Sequence, residues 1–276
     1  MAIGPSELTH LRLAVLGPGS MGGALVRGWV KAGTLQGINV RFYTTNAAKA
    51  AALAAETGAF AASSPADAVT HADILLVSVK PPLVLPSLEA IKEVLPVGVP
   101  VLSVAAGIKL EALERILPGG TPVLRVMPNT PALVGEAASA FCRGSHATGA
   151  HADLVQTLFS AVGAAVEVSS ESQIDAVIGV AGSASAYFYL IIEALTDAGV
   201  RAGLPRQTAR LLAAQTALGS AKMVLQTGQH PAVLKDAVTT PGGTTIAALH
   251  VLEKAGIRGT LMDAVLAAQQ RAREMG

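Results

Sequence analysis

A short apolar run that leads directly into a glycine-rich turn constrains this chain more than any other feature. The run Leu13–Leu16 is followed by Gly17, Gly19 and Gly22 in the G-x-G-x-x-G spacing, and an apolar helical pattern begins at once. In this context the first glycine permits a tight strand-to-helix turn, the second lets the backbone approach a pyrophosphate, and the third lets the helix pack closely. The helix start offers free N–H groups and a positive dipole end to phosphates. The segment therefore predicts a dinucleotide-binding unit.

Short apolar runs alternate with helical patterns through the first half of the chain. This alternation is typical of a mostly parallel sheet with helices on both faces. Strands are predicted at residues 11–16, 39–43, 74–79, 99–104, 123–127, 137–142 and 165–168. Helices are predicted between them at residues 22–32, 47–57, 82–94, 109–116 and 152–162.

The pattern changes after about residue 170. No convincing strand pattern follows, and helices are predicted at residues 173–200, 205–227, 231–238, 244–254 and 259–274. Proline and glycine separate these segments, as is typical of helix ends. The expected fold class is therefore α/β, with a Rossmann-like, doubly wound, mostly parallel sheet in residues 1–170 and an all-helical domain in residues 171–276.

Length and composition narrow the class of protein. A chain of 276 residues suggests about two domains. With 51% hydrophobic and 14% charged residues, the chain has much apolar surface to bury, including surface between subunits. The formal net charge of +1 shows no nucleic-acid footprint, and the single cysteine, Cys142, cannot form an internal disulfide framework. No histidine or cysteine cluster has metal-ligand spacing, so no metal site is predicted.

The apolar segments of the chain do not predict a signal peptide or a membrane span. Residues 1–10 contain Pro5 and Glu7 and lack the apolar core of a signal peptide. The longest apolar stretch, residues 176–192, is shorter than the roughly 20 residues that span a membrane and is interrupted by glycine and serine. We interpret it as a helix buried in protein. These observations, with the single cysteine, favour a cytoplasmic protein without membrane contact.

The end of the second predicted strand bears on the choice of cofactor. An acid at this position binds the ribose 2′-hydroxyl of NAD, whereas polar or basic residues admit the 2′-phosphate of NADP. Residues 42–49 contain no acid; Thr44 and Asn46 offer hydrogen-bond donors and Lys49 offers charge, although an ordinary exposed helix lysine explains Lys49 equally well. We therefore favour NADP(H), with NAD(H) as the alternative. FAD is less favoured because the short chain has a single fingerprint.

Five motifs occur in order along the chain. They are Gly17-Pro-Gly-Ser-Met-Gly22, Val79-Lys80-Pro81, Ser103-Val-Ala-Ala-Gly107, Arg125-Val-Met-Pro-Asn-Thr-Pro131 and Thr240-Pro-Gly-Gly-Thr-Thr245. Together they resemble the pyrroline-5-carboxylate reductases, enzymes that make proline with NAD(P)H. The resemblance extends over essentially the whole chain, and the last two motifs are far more specific than the fingerprint.

The resemblance implies a helical dimerisation domain, self-association as a dimer or a larger oligomer, and an active site shared between two subunits. Three of the motifs follow predicted strands, where doubly wound sheets place their ligands. The residues implied to bind the cofactor are Gly17, Gly19, Ser20, Met21, Gly22, Thr44, Asn46, Val79, Lys80, Pro81, Ala105, Gly107, Met127, Pro128 and Asn129.

The last motif is implied to bind the substrate, a cyclic imine carboxylate. Its glycines and the helix start that follows present N–H groups and a positive dipole end, which suit a carboxylate. The implied substrate-binding residues are Thr240, Gly242, Gly243, Thr244 and Thr245. Thr245 is also the implied catalytic residue, since its hydroxyl can hydrogen-bond the imine nitrogen. The alternative for the same segment is a simple helix cap, with threonine capping and the glycines turning.

Two positions depart from the pattern of the family. Residues 182–187 read Gly-Ser-Ala-Ser-Ala-Tyr where the family usually has Gly-Ser-Gly-Pro-Ala-Tyr, and Ala47 follows Asn46 where an arginine is common. The main hypothesis is reduction of 1-pyrroline-5-carboxylate to L-proline, the last step of proline biosynthesis. Two alternatives stay open: reduction of another carboxylated cyclic imine, and a non-catalytic, nucleotide-binding regulatory protein.

Overall fold

The computed structural model describes residues 8–275, so the prediction for residues 1–7 lies outside the described part of the chain. Its framework is one eight-stranded sheet. The strands are Leu13–Leu16 (β1), Val40–Tyr43 (β2), Phe60–Ala61 (β3), Ile74–Val77 (β4), Val101–Ser103 (β5), Val123–Met127 (β6), Ala137–Arg143 (β7) and Gly163–Glu167 (β8). Their order is β3-β2-β1-β4-β5-β6-β7-β8, and every neighbouring pair is parallel except β6 and β7. The predicted doubly wound, mostly parallel sheet is therefore confirmed.

Helices cover both faces of this sheet. They are Ser20–Lys31 (α1), Ala47–Thr57 (α2), Pro65–Val69 (α3), Pro81–Glu89 (α4), Leu110–Ile116 (α5), Gly149–Ser160 (α6) and Glu171–Val177 (α7). One apolar core includes Trp29 of α1 and Phe159 of α6, whose rings meet edge to face at 5.4 Å. The core on the other face includes Leu113 of α5 and Ile174 of α7. Burial on both faces explains why the central strands read as continuous apolar runs.

Local signals set the bounds of α2, which stands next to the candidate site. The helix begins where Lys49 N donates a hydrogen bond to Asn46 Oδ1 at 2.9 Å. It ends before Gly58, whose φ is +72°. An asparagine cap and a left-handed glycine are typical of these two ends. The bounds predicted from the sequence, residues 47–57, are therefore the observed ones.

Besides shifts of up to three residues in several other bounds, three elements around the sheet differ from the prediction. β3 and α3 were not expected: β3 is two exposed residues at the sheet edge, and α3 is five residues that depend on a cap by Ser64 and on Pro65 at the first position. Elements this short carry no measurable hydrophobic period. α4 ends at Glu89, before the predicted residue 94, and contains Pro86, which removes a hydrogen-bond donor from the helix.

The described residues form two compact units. The first holds the sheet and its helices up to Ser183 and also the end of the last helix, from Ala267. The second, Ala184–Leu266, is helical. The helices after α7 are Ala184–Arg201 (α8), Arg206–Thr227 (α9), Pro231–Ala237 (α10), Thr244–Lys254 (α11) and Ile257–Met275 (α12). The boundary predicted between residues 170 and 171 lies at the start of α7 and stays a prediction.

The long helix predicted for residues 173–200 is interrupted. A π-helical turn, Ile178–Gly182, separates α7 from α8. The expectation that this stretch is buried in protein is wrong for the single chain, because Phe188, Tyr189 and Leu190 are 58%, 60% and 65% exposed. Glu171–Arg201 is the one helical stretch among residues 8–275 that is long and apolar enough to cross a membrane, which is weak evidence by itself. The sequence shows that these side chains are apolar, but it does not show which surface packs against them.

Candidate active site

The glycine-rich turn after β1 has the geometry that its spacing predicts. Gly17 has a φ of +76°, and a Cβ at this position would lie 2.9 Å from the Cα of Val79. Glycine is required here because the left-handed conformation and the close backbone both exclude a side chain. The carbonyl of Gly17 also accepts a hydrogen bond from Ser78 Oγ at 2.8 Å. This bond holds the turn against the end of β4.

The next two glycines differ in their surroundings. A Cβ at Gly19 would meet one described protein atom, Gly17 O, at 3.9 Å, so the backbone there is open to a ligand. Gly19 is the N-cap of α1 and has no side-chain cap, which leaves N–H groups from Ser20 onward available to phosphate. A Cβ at Gly22 would overlap the side chain of Ser78. Gly22 therefore lets α1 pack closely on the residue that follows β4.

A cavity of about 460 Å³ lies beside this turn, at the carboxyl ends of β1, β2 and β4. Six residues predicted to bind the cofactor line this cavity: Gly17, Gly19, Thr44, Asn46, Val79 and Lys80. Lysines and hydroxyl groups are present among the lining residues, and none of those residues is acidic. Because the strand order reverses between β1 and β4, this is the edge where doubly wound sheets bind their ligands. The cavity is suited to an anionic dinucleotide.

The same cavity adds residues that the sequence-based set omits. They are Leu16, Tyr43, Thr45, Lys49, Pro65, Ser78, Leu83, Pro86, Ser87 and Ala90. Ser78 had a sequence signal, since it is the polar residue that ends an apolar strand pattern. Pro65 had none, because it belongs to α3, and the approach of α3 to this loop depends on tertiary packing.

Part of the polar loop after β2 is already engaged within the protein. Asn46 N donates to Thr44 Oγ1 at 3.3 Å, and Lys49 N donates to Asn46 Oδ1 at 2.9 Å. Within the described residues, the side-chain nitrogens of Asn46 and Lys49 make no hydrogen bond. Both groups are hydrogen-bond donors, so they suit a phosphate at this end of the cavity.

The other predicted cofactor residues lie outside this cavity. Ser20, Met21 and Gly22 belong to α1, Pro81 begins α4, Ala105 and Gly107 follow β5, and Met127, Pro128 and Asn129 end or follow β6. β5 and β6 continue the parallel part of the sheet, so their carboxyl ends share the edge of β4. The side chain of Asn129 is used internally: Ala138 N donates to its Oδ1 at 2.9 Å, and its Nδ2 donates to Ala181 O at 3.2 Å. These two bonds fix the orientation of the Asn129 amide and leave one N–H donor and one acceptor lone pair for a further partner.

The predicted substrate residues lie in the helical unit, around the start of α11. Gly242 has a φ of +67°, and Gly243 N donates to Thr240 O at 3.0 Å, which closes a tight turn. Gly243 is the N-cap of α11, with no side-chain cap, and Thr244 is the first helical residue. The Thr245 hydroxyl makes no hydrogen bond to any residue between 8 and 275. A glycine cap thus replaces the threonine cap considered from the sequence, and the helix start keeps N–H groups for a ligand.

These features define a class of protein: the chain is an NAD(P)-dependent oxidoreductase, with a glycine-rich turn and an open helix start at the switch point of a doubly wound sheet. Residues 12–107 match the family model described as NADP oxidoreductase, coenzyme F420-dependent. Residues 171–275 match the model described as pyrroline-5-carboxylate reductase dimerisation.

Individual relatives are similar to this chain over nearly its whole length. The chain is 43% identical over 275 residues to the pyrroline-5-carboxylate reductase of Arabidopsis thaliana, which covers 100% of this chain and 99% of that protein. It superposes on a pyrroline-5-carboxylate reductase from Coxiella burnetii with a TM-score of 0.91 at 31% identity, over 96% of this chain and 98% of that one. It superposes on Plasmodium falciparum pyrroline carboxylate reductase with NADP bound with a TM-score of 0.87 at 32% identity, over 98% of this chain and 99% of that one. The chain belongs to the pyrroline-5-carboxylate reductase family.

Proposed function

We propose that the chain reduces 1-pyrroline-5-carboxylate to L-proline by hydride transfer from NADPH, the last step of proline biosynthesis. The observation that carries this proposal is the full-length likeness to reductases of this name, 43% identical to the one from Arabidopsis thaliana. Both motifs that the chemistry needs, the glycine-rich turn and Thr240-Pro-Gly-Gly-Thr-Thr245, are intact in this sequence. Family membership and the two motifs support the same reaction.

The preference for NADPH over NADH rests on the cavity after β2. Its lining contains Lys49 and Asn46, whose side-chain nitrogens are unengaged within the described residues, and it contains no acid that would bind a ribose 2′-hydroxyl. A phosphate gains charge-assisted hydrogen bonds from such donors. The relative from Plasmodium falciparum has NADP bound, which supports the same choice. NADH remains the alternative donor.

Hydride transfer to a C=N bond requires alignment more than acid–base machinery. A bound nicotinamide cofactor would supply the hydride that reduces the C=N bond of the protonated imine to a C–N single bond. The chain's part is to hold the two reactants. N–H groups at the start of α11 bind the substrate carboxylate, and the hydroxyl of Thr245, which makes no hydrogen bond within the described chain, binds the ring nitrogen.

Exposed apolar side chains support self-association through the C-terminal helices. Leu190 of α8 and Leu211 of α9 are 65% and 67% exposed. Leu190 helps to line a cavity of about 900 Å³ that has residues of both helices in its wall, including Tyr189 and Arg210. Apolar surface of this kind marks an interface, and most oligomers pair identical surfaces. The region also matches a family model of dimerisation.

We propose that this surface faces another copy of the chain in the cytoplasm and not a lipid bilayer. Glu193 and Asp197 lie within α8, and a π-helical turn precedes it. An acid near the centre of a membrane helix costs about 2.5–3.5 kcal/mol on insertion scales. Two acids within one span favour the protein interface.

One observation favours a second candidate, a reductase of another carboxylated cyclic imine. Ala184 and Ser185 replace the usual Gly-Pro of the family, and Ala184 is buried at the start of α8, two residues after the π-helical turn ends. A different backbone at this point changes the space next to the substrate. The third alternative, a non-catalytic nucleotide-binding protein, is not favoured, because both binding motifs are intact and the chain belongs to a family of reductases.

A substrate panel separates these candidates. The purified protein is assayed with cyclic imine carboxylates of five- and six-membered rings, each with NADPH and with NADH. We expect the highest kcat/KM for 1-pyrroline-5-carboxylate with NADPH. A higher value for a six-membered ring would establish the second candidate. NADPH binding without turnover of any cyclic imine would contradict the proposed reaction.

A further inference from the structure

A buried ion-pair cluster lies outside the binding residues described above. Arg125 lies in the middle of β6, two positions before Met127, and its side chain is 3% exposed. Its Nη1 donates to Glu171 Oε1 at 2.9 Å, and its Nη2 approaches Asp175 Oδ1 at 3.4 Å. Glu171 and Asp175 are four residues apart on α7 and face the same guanidinium. One buried cation therefore joins the sheet to α7.

The cluster also reaches the loop after β5. Glu171 Oε1 accepts a second hydrogen bond, from Leu110 N at 2.7 Å, and Leu110 is the first residue of α5. A carboxylate at a helix N-terminus is favoured by the helix dipole and satisfies a free N–H group. The segment that ends at Leu110 contains Ala105 and Gly107, two of the residues predicted to bind the cofactor. Glu171 thus links Arg125 to this loop.

The far end of α7 is held by the residues that follow Arg125 in the chain. The π-helical turn Ile178–Gly182 continues directly from α7, and Asn129 Nδ2 donates to Ala181 O within it at 3.2 Å. A Cβ at Gly182 would lie 2.9 Å from Met127 Cε, so this turn packs directly on Met127. α7 and its π-helical turn are therefore fixed to β6 at two places, at Arg125 and at Met127 with Asn129.

We propose that Arg125 is a positioning residue for hydride transfer. By binding Glu171 and Asp175, it fixes the distance between two loops at the carboxyl edge of the sheet. One loop follows β5 and contains Ala105 and Gly107; the other follows β6 and contains Asn129, next to Met127. These loops follow β5 and β6, away from the cavity beside the glycine-rich turn, so they are placed to hold the nicotinamide half of the cofactor. This assignment rests on the proposed reductase function.

The expected signature is a loss of kcat with little loss of cofactor affinity. The hydrogen bonds of Arg125 go to Glu171 and Asp175 and not to the glycine-rich turn or Lys80, where we expect the phosphates of NADPH to bind. A displacement of about 1 Å at the reacting atoms lowers the rate by about 100-fold. We therefore expect Arg125→Lys to lower kcat by about 10- to 100-fold, because lysine keeps the charge but lacks the planar fork whose two separate nitrogens reach Glu171 and Asp175.

The variants form a graded series. Glu171→Ala removes both hydrogen bonds and is expected to lower kcat as much as Arg125→Lys. Glu171→Gln keeps an acceptor for Leu110 N and is expected to recover part of kcat. Asp175→Asn alters the longer contact, at 3.4 Å, and is expected to have the smallest effect. The matched control is Arg143→Lys, whose partner is Glu167 in an exposed pair on β7 and β8.

The experiment measures kcat and KM for 1-pyrroline-5-carboxylate, the NADPH Kd by fluorescence and the melting temperature of each full-length variant. Lower kcat at nearly constant Kd in the graded order, with Arg143→Lys like wild type, supports the proposal. Lower melting temperatures with wild-type kcat would show a purely structural cluster and overturn it. If Arg125→Lys does not fold, the same comparison of kcat and Kd in Glu171→Ala, Glu171→Gln and Asp175→Asn tests the proposal.

A separate readout distinguishes this proposal from the proposed function. If the wild type reduces no cyclic imine, the function is wrong, and amide hydrogen exchange still tests the positioning device. Exchange at Leu110 is then expected to accelerate in Glu171→Ala, and much less in Glu171→Gln. Unchanged exchange at Leu110 in Glu171→Ala would overturn the link between α7 and the loop after β5.

Discussion

Alanine at Gly17 and alanine at Gly19 should have opposite consequences, although the two glycines are two positions apart in one turn. At Gly17 both the φ of +76° and the Cα of Val79, which would lie 2.9 Å from an added Cβ, oppose a side chain. The left-handed conformation costs about 1–2 kcal/mol, and overpacking adds about 1–3 kcal/mol. Gly17→Ala should therefore lower stability by about 2–5 kcal/mol. At about 2–4 °C per kcal/mol, the melting temperature should fall by about 4–20 °C.

At Gly19 the same substitution should leave the fold intact. The φ is −72°, and a Cβ would meet only Gly17 O at 3.9 Å among described atoms. The melting temperature should stay constant or rise slightly, because alanine reduces the freedom of the unfolded chain. The added methyl group should instead occupy the space that the pyrophosphate needs. Loss of one charge-assisted hydrogen bond, about 1.5–3 kcal/mol, corresponds to about a 10- to 100-fold weaker NADPH Kd.

Thermal melts and NADPH titrations by fluorescence on the two variants test this reasoning. Gly19→Val should extend the trend, with no measurable cofactor binding. Wild-type affinity in Gly19→Ala would refute the assignment of the turn to the pyrophosphate. A Gly19→Ala protein that melts as low as Gly17→Ala would show that the open space at Gly19 is needed by the fold and not by a ligand.

Four further predictions follow from other parts of the molecule. Thr245→Val should lower kcat/KM for 1-pyrroline-5-carboxylate by about 10- to 100-fold at constant NADPH affinity, since a lost hydrogen bond costs on the order of 1–3 kcal/mol. Wild-type kinetics in this variant would show that Thr245 does not bind the imine nitrogen. Lys49→Met should raise the KM for NADPH by about tenfold and leave that for NADH unchanged, because one charged hydrogen bond to the 2′-phosphate is lost; equal effects on both cofactors would contradict this role. Leu190→Glu, at a position 65% exposed on α8, should give monomers of low activity in light scattering, and an active oligomer would place the interface elsewhere. Burial raises the pKa of the Cys142 thiol to about 11 from an ordinary value of 9.0. The folded state thus keeps the proton longer than the unfolded state. The free energy of unfolding should therefore fall by about 3 kcal/mol between about pH 9 and pH 11, and Cys142→Ala should lack this part of the pH dependence.

Local interactions explain the parts of the fold that the sequence predicts well. Ala47–Thr57 and Thr244–Lys254 have the predicted bounds, and so does the strand Val123–Met127. Each has its boundary signal within a few residues, such as Asn46 and Gly58 around α2. The π-helical turn at Ile178–Gly182 has no such signal, because the apolar pattern continues through it. The hydrogen bond from Asn129 to Ala181 O joins residues far apart in the chain.

The sequence by itself determined the dinucleotide turn, the alternation of strands and helices, and the family. These depend on residue types at short spacing, since backbone conformation and hydrophobic period are local properties. The tertiary structure decided which polar groups stay available. It engages the amide of Asn129 internally, brings Pro65 to the cofactor cavity, and buries Arg125 against two carboxylates of α7. Such partners depend on which elements become neighbours in the sheet, and no pattern along the chain records that.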